Sequence, residues 1–384
     1  MIDFSIYMLL GLILYTYMGY PLLIITISKL YRKKRRIDLN FKPLVSWVVP
    51  SYNEEAIIAA KIDNLLKLDY PQELLEIIVI TDGSTDRTAE IASKFNRVKV
   101  LHKDLRSGKS AAENRAVSHS KGEIVVFNDA NTEVSTDALT HLVKHYADPN
   151  VGGVSGAKGI IVAKGDAAES KGEGLYWRYE SAIKKADSDV NSLMGAAGEL
   201  VSFRKEFIRD LPHDTILDDF MQSFNMLRQN KVMIYEPKAK AQEVSSASIQ
   251  EELKRKIRIA AGGWQSMSRL PFMWNIFRRP VQAWMYISHR VLRWSITAFA
   301  LPLLFILNML VAKQGPVMQL LLLGQIVFYL TAWIAHTNRQ RSLPAPVLAV
   351  YYFTVMNYAV LAGFKRFLNG SQKGAWERSK RKVV

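Results

Sequence analysis

The sequence predicts an α/β domain, built on a mainly parallel sheet covered by helices and joined to α-helical transmembrane and interfacial segments. Three observations carry this. Between Phe41 and Glu252, short β-branched runs alternate with amphipathic stretches, the pattern of strands and their covering helices. Four apolar blocks lie outside that region, one before it and three after it. The charge divides in the same way: residues 1–36 hold six basic residues and one acid, residues 253–384 hold 19 and one, and the middle is net acidic. A mean hydropathy of zero beside 22% charged residues is the average of these unlike parts. The absence of cysteine excludes a disulfide scaffold and a cysteine-ligated zinc site.

The first apolar block, Phe4 to Leu30, exceeds the roughly 20 residues that a bilayer span needs. It is followed by Tyr31-Arg32-Lys33-Lys34-Arg35-Arg36, which places that end in the cytoplasm. Its length, its acidic start at Asp3 and the lack of a small-residue cleavage site favour an anchor over a signal peptide. Strands are expected at Val45 to Val49, Glu76 to Ile80, Val98 to Leu101 and Glu123 to Phe127. Between them, helices fit Ala56 to Leu68, Thr85 to Phe95 after the N-cap candidate Ser84, and Ser110 to Ser120.

In open sheets of this kind ligands bind beyond the carboxyl ends of the strands. Those ends read Pro50-Ser51-Tyr52-Asn53-Glu54-Glu55, Thr81-Asp82-Gly83-Ser84-Thr85-Asp86 and Asn128-Asp129-Ala130-Asn131-Thr132. Asp82 and Glu54 can accept from the N–H edges of a base, Tyr52 can stack on a ring, and Asp129 offers a hard oxygen to a cation that neutralises a diphosphate. Capping and turn formation explain about half of such residues taken singly; three strand ends in register ask for more. Arg106-Ser107-Gly108-Lys109-Ser110 is no phosphate loop, because Lys103 stands where its first glycine belongs, yet Arg106 and Lys109 at a helix start favour an anion. Gly153, Gly156 and Gly159 read as strand and turn glycines. Asp218-Asp219 precedes an amphipathic helix, Phe220 to Gln229; adjacent carboxylates raise each other's proton affinity, which suits a general base, and Asp218 also suits a helix cap.

From Leu253 to Arg293, basic residues alternate with Trp264, Phe272, Met273, Trp274, Phe277, Trp284 and Tyr286, a composition suited to helices in the headgroup plane. The same mixture can line a nucleic-acid groove, but the flanking spans point to membrane lipids and no nucleic acid. Three further blocks, about Trp294 to Ala312, Val317 to His336 and Val347 to Phe364, can each span. The loop with Arg339 and Arg341 is then cytoplasmic and the one with Lys313 external. Four spans would carry the basic tail, Lys373, Arg378, Lys380, Arg381 and Lys382, to the outside, so either the last block is re-entrant or the tail breaks the same rule. The expected layout is an anchor over 1–36, an α/β domain over 37–252, interfacial helices over 253–293, transmembrane helices over 294–364 and a tail over 365–384.

Taken in order, Pro50-Ser-Tyr-Asn-Glu54, Asp82-Gly-Ser-Thr-Asp86, Ser107-Gly-Lys109, Asp129-Ala-Asn131, Gly195-Ala-Ala-Gly-Glu199 and Leu217-Asp-Asp219 resemble the motifs of membrane-embedded family 2 inverting glycosyltransferases of GT-A fold, the branch that holds cellulose, chitin, hyaluronan and poly-N-acetylglucosamine synthases. The resemblance implies a Rossmann-like nucleotide-sugar-binding domain and a nucleotide-sugar donor, most often a UDP-sugar. Pro50, Tyr52, Glu54, Asp82, Lys109 and Asp129 would hold that donor. It further implies Mn²⁺ or Mg²⁺ at Asp129 and Asn131, Asp219 with Asp218 as the catalytic pair, and an acceptor site at Gly198, Glu199, Arg258 and Trp264. The implied product is a β-linked cell-surface polysaccharide made by an integral protein of a bacterial inner membrane with its catalytic domain in the cytoplasm; the alternative is one sugar added to a lipid acceptor. Two departures stand out. Asn131 replaces the second acid of the metal motif, and the synthases' Gln-x-x-Arg-Trp is absent, since Arg258 is preceded by Arg255 and followed by Ile259, with Trp264 the nearest indole.

Overall fold

The computed structural model describes residues 2–161, 169–244, 249–338 and 343–372. These form two compact units: one from Ile27–Ile161 and Glu180–Ser245, the other from Met1–Thr26, Val162–Tyr179 and Ser246–Gln372. The expected basic loop at Arg339 and Arg341 and the tail from Lys373 lie outside the described residues.

The first unit is an eight-stranded sheet of β1 (Val45–Ser51), β2 (Leu75–Asp82), β3 (Val98–Lys103), β4 (Ile124–Phe127), β5 (Thr132–Val134), β6 (Val151–Ile161), β7 (Val201–Arg204) and β8 (Val232–Val244), in the order β3-β2-β1-β4-β7-β6-β8-β5. The four strands expected from sequence pair in parallel, with Val45 opposite Leu75 and Ile124. The remainder is mixed rather than parallel: β7 runs antiparallel to β4 and β6, and β5 antiparallel to β8. The reversal at β7 matters for the site. Phe127 at the end of β4 faces Val201 at the start of β7, so the loop before β7 arrives at the edge where β1, β2 and β4 end.

Alternation along β1 sends Val45, Trp47 and Val49 into one apolar layer and Val48 into the other. The first layer takes Ile58, Ile62 and Leu65 from helix Ile58–Leu66; the second takes Ala112 and Ala116 from helix Lys109–His119. Helix Thr88–Ser93 is not capped by Ser84 as expected. Asp86 Oδ1 accepts from the Thr88 N–H at 3.0 Å, and Ser84 Oγ instead accepts from Asn53 N–H at 3.1 Å. Gly153, Gly156 and Gly159 lie within β6.

The second unit is helical. Among the described residues four helices are long and apolar enough to cross a membrane: Ile2–Leu30, Pro280–Gln314, Pro316–Thr337 and Ala345–Leu368. The second begins at Pro280 rather than near Trp294, so the stretch expected to lie in the headgroup plane continues directly into a spanning-length helix. Proline at the first helical position costs no hydrogen bond, and here it starts a helix where the sequence suggested a break. Helix Ile249–Arg269 packs closely on Ala345–Leu368, where a Cβ on Gly363 would meet Ala260 Cβ at 2.6 Å.

Candidate active site

The loops after β1 and β2 are stitched to each other. Asn53, held at φ 54°, accepts the Thr85 N–H through Oδ1 at 2.9 Å, and the Glu54 N–H donates to Thr88 Oγ1 at 2.8 Å. Pro50 is buried in β1 opposite Ile80, while Tyr52 and Glu54 are half-buried beyond the strand end. The Arg106 guanidinium lies 3.7 Å from the centroid of the Tyr52 ring. Gly83 permits this approach: it holds φ +72°, and a Cβ there would stand 2.6 Å from Arg106 Cβ.

Asp82 is buried at the end of β2. Its Oδ2 accepts the N–H groups of Ser107 (2.9 Å) and Gly108 (2.7 Å), so these two amides serve Asp82 and leave none of their capacity for a phosphate. Its Oδ1 is buried with no partner, an acceptor that a base N–H can fill. Gly108, at φ +97°, turns the chain so that helix Lys109–His119 starts with Lys109 pointing into the site.

Lys109 is the hub. Its Nζ lies 3.1 Å from Asp129 Oδ1, 3.2 Å from Asp218 Oδ2 and 3.7 Å from Glu113 Oε1. Burial disfavours the Lys109 cation, but Asp129, Asp218, Glu113 and Asp219 outweigh burial and raise its proton affinity. Asp218 does not cap its helix; no side chain caps Asp218–Arg228, and the Asp218 carboxylate turns to Lys109. Burial opposes its charge, yet Lys109 and a hydrogen bond with Glu113 hold its carboxyl below the usual range. Burial and the charge of Asp218 push Asp219 up to about 7. A Cβ on Gly198 would lie 3.4 Å from Asp219 Oδ2 and 3.5 Å from Lys109 Nζ, so the glycine leaves the space above both open. The loop holding it is fixed by Ser223 Oγ, which accepts the Ala196 N–H at 3.0 Å, and by Gly195 at φ +94° lying against the Phe220 ring.

Glu199 is buried and receives the Lys158 ammonium at 2.6 Å; Lys158 also pairs with Glu243. Asn128 Nδ2 donates to Thr132 Oγ1 at 2.6 Å and to the Glu199 carbonyl, tying the β4–β5 turn, with Asp129 and Asn131, to the loop before β7. Lys61 donates to the Thr132 carbonyl at 2.6 Å and to Asn128 Oδ1; burial pushes its ammonium down to about 7 against the pull of Asp129 and Glu133.

One unit thus brings together Pro50, Tyr52, Glu54, Asp82, Lys109, Asp129, Asn131, Gly198, Glu199, Asp218 and Asp219. Arg258 and Trp264 belong to the helical unit, on helix Ile249–Arg269. There the Trp264 ring packs on Phe364 at 4.5 Å and edge-on to Phe299 at 6.3 Å, an aromatic cluster within that unit. Sequence reasoning missed Glu113, Lys61, Lys158 and Glu243. Glu113 was within reach, four residues after Lys109 and therefore on the same helix face. Lys61 gave a sign too, as a cation at a core position between Ile58 and Leu65. The Lys158 pairing joins strands far apart in sequence, and no local signal reports it.

Among the described residues no group of three or more His, Asp or Glu side chains is arranged to hold a metal ion. Asp129 and Asn131 offer one carboxylate and one amide, a donor set that fits a hard divalent ion once diphosphate oxygens supply the remaining ligands.

An α/β unit with an acidic site at the carboxyl ends of parallel strands, in a chain whose described residues include four helices long and apolar enough to cross a membrane, defines the class as an α/β ligand-binding domain joined to bilayer-length helices. The comparisons narrow it: the Glycosyl transferase family 2 profile matches residues 46–212. The chain is 32% identical over 201 residues to a beta-monoglucosyldiacylglycerol synthase of Nostoc sp., covering 48% of this chain and 41% of that protein. It is 27% identical over 237 residues to a poly-beta-1,6-N-acetyl-D-glucosamine synthase of Staphylococcus epidermidis, covering 59% of this chain and 56% of that protein. The chain therefore spans about half the length of these curated relatives. A mannosyltransferase from Pyrobaculum calidifontis, solved in complex with GDP-Man and Mn²⁺, superposes with a TM-score of 0.73 at 23% identity, covering 96% of this chain and 99% of that one, which shows the shared fold.

Proposed function

We propose that the protein is a membrane-bound inverting glycosyltransferase that moves a sugar from a nucleotide-sugar donor, a UDP-sugar by the motifs, to a growing β-linked cell-surface glycan. Its 37–252 domain works on the cytoplasmic face. The observation that carries this is the divergence of two adjacent aspartates beside Lys109: Asp218 is held ionised, and Asp219 is raised to about 7, where a general base works best.

In this reading Asp82 Oδ1 accepts a base N–H, Tyr52 offers the base the ring face that Arg106 does not cover, and Lys109 serves the phosphates. Asp219 accepts the proton of the acceptor hydroxyl, whose oxygen attacks the sugar from the face opposite the diphosphate. Asp129 and Asn131 would hold Mn²⁺ or Mg²⁺, which when bound supplies a Lewis acid to the leaving diphosphate. Asp219→Asn tests the reading: transfer should fall by about three orders of magnitude or more while nucleotide affinity stays within about twofold. Equal loss of both would make Asp219 a structural residue.

A second reading, transfer of a single sugar to a lipid acceptor, is favoured by Trp264. Its ring is packed against Phe364 and Phe299, and a polymer held for repeated addition needs a flat face open to its terminal sugar. Product analysis with labelled nucleotide sugars separates the two. Chains that lengthen with donor concentration support the glycan reading, and one sugar per acceptor at every concentration supports the lipid.

A further inference from the structure

Helix Lys109–His119 turns two columns of side chains toward the segment that leads to the paired aspartates. Lys109 and Glu113 are four residues apart and share one face; Ser110 and Asn114 repeat that spacing on the next face. The first column meets carboxylates, with Lys109 Nζ 3.2 Å from Asp218 Oδ2. The second grips backbone. Asn114 Nδ2 donates to the Leu211 carbonyl at 2.9 Å, Asn114 Oδ1 accepts the Leu211 N–H at 3.1 Å, and Ser110 Oγ donates to the Thr215 carbonyl at 3.1 Å. Leu211 and Thr215 are buried, while Pro212, His213 and Asp214 between them are exposed in a turn that the Thr215 N–H closes on the Pro212 carbonyl at 3.0 Å.

Helix Asp218–Arg228 begins just beyond Thr215. Its N-cap is Leu217, an apolar side chain that cannot accept from the first-turn N–H groups, so contacts from outside the helix fix its start. Lys109 supplies one of them through Asp218, and the grip on Leu211 and Thr215 holds the chain leading in. From the other side Gln222, in the second turn of the helix, donates through Nε2 to the Arg209 carbonyl. A primary amide carries a donor and an acceptor side by side, which is what holding one residue's N–H and carbonyl together requires.

We propose that Asn114 is a positioning residue: by holding the Leu211 backbone in both directions it fixes the segment that brings Asp219 to the acceptor hydroxyl. This rests on the reading of Asp219 as the base and names the side chain that sets its place. Asp82 and Tyr52 stand on other loops, and Lys109 is held by Asp129 as well as by Asp218, so loss of Asn114 leaves the donor groups in place and slows transfer.

Two variants of the full-length protein test this. Asn114→Leu keeps bulk and removes both bonds; Asn114→Asp keeps the shape and the acceptor but sets a carboxylate oxygen against the Leu211 carbonyl. Hydrogen exchange read by mass spectrometry needs no substrate: in Asn114→Leu, peptides covering 209–217 should exchange faster by about tenfold or more while those covering β1 and β2 keep the wild-type rate. In initial-rate measurements both variants should lose about tenfold or more in kcat with donor KM within about twofold, and UDP should bind at wild-type stoichiometry. UDP stoichiometry that falls in step with kcat would make Asn114 a structural residue and overturns the proposal, as do wild-type kcat in either variant and unchanged exchange in Asn114→Leu. If Asn114→Leu does not fold, the kcat and UDP stoichiometry of Asn114→Asp decide; failure of both to fold also makes the residue structural. Asp219→Asn transferring at the wild-type rate overturns the base reading and the role of Asn114 with it, whereas an inactive Asp219→Asn beside wild-type kcat in the Asn114 variants overturns the positioning role alone.

Discussion

Asp218 and Asp219 are neighbours at one helix start, yet burial acts on them with opposite outcomes because Asp218 has the closer hold on Lys109. The sign of the pH dependence follows. As the proposed base Asp219 works deprotonated, so kcat/KM for the free enzyme should rise with pH through about 7 and fall tenfold per unit below it. A flat acid side down to pH 5 would remove Asp219 from the role of base. At the metal motif, Asn131 contributes a neutral oxygen, and Asn131→Asp should tighten Mn²⁺ binding in the presence of UDP by roughly tenfold, measured by titration calorimetry. Unchanged affinity would place Asn131 outside the ion's coordination. Much of this site was legible at the residue level, because the acids and amides at three strand ends occupy positions where a sheet of this kind must expose loops. What could not be read were the partners. That Asp218 leaves its own helix end for Lys109 depends on two helices meeting, and that Ser107 and Gly108 are consumed by Asp82 depends on a turn whose direction Gly108 sets.

At the scale of elements, the parallel half of the sheet followed from β-branched runs with helices between them, and strand ends agreed within three residues. The mixed half did not, since β6 and β8 carry Gly and Lys rather than an unbroken apolar run, and β5 has only three residues. In the helical unit, hydropathy marks lengths but not pairings. Those are made by polar side chains on apolar helices: Tyr15 OH bonds Ser288 Oγ at 2.8 Å and accepts from Trp284 Nε1 at 2.9 Å, Tyr17 OH donates to Asn357 Oδ1 at 3.0 Å, and Asn308 Nδ2 donates to Gln325 Oε1 at 3.1 Å. Bonds of this kind contribute about 0.6–2 kcal/mol each between apolar helices. Tyr15→Phe removes two at once and leaves the indole N–H without its acceptor, so it should lower the unfolding midpoint in detergent by several degrees without altering nucleotide affinity. An unchanged midpoint would mean that ring packing alone joins helix Ile2–Leu30 to helix Pro280–Gln314.

For the whole molecule, charge asymmetry is the feature that sequence shows most directly and that side-chain contacts explain least. No acid occurs between Leu253 and Trp376, while basic residues recur throughout, so the sidedness of the helical unit follows from where those cations can rest. Lys34 stands in the basic run after the first spanning-length helix, and positive flanks stay on the cytoplasmic side. The short connection between Pro280–Gln314 and Pro316–Thr337 has one cation, Lys313, whereas the next holds Arg339 and Arg341, so of the two the Lys313 turn should face outward. Cysteine labelling reports this without background, because the chain has no cysteine. In intact cells, Lys313→Cys should react with a membrane-impermeant maleimide, and Lys34→Cys should react only after permeabilisation. Labelling of both positions from outside would put the 37–252 domain on the external face, away from cytoplasmic nucleotide sugars, and the proposed donor would then have to be abandoned together with the orientation. Labelling of neither would mean that Pro280–Gln314 and Pro316–Thr337 turn back within the bilayer, leaving Ile2–Leu30 and Ala345–Leu368 to span it.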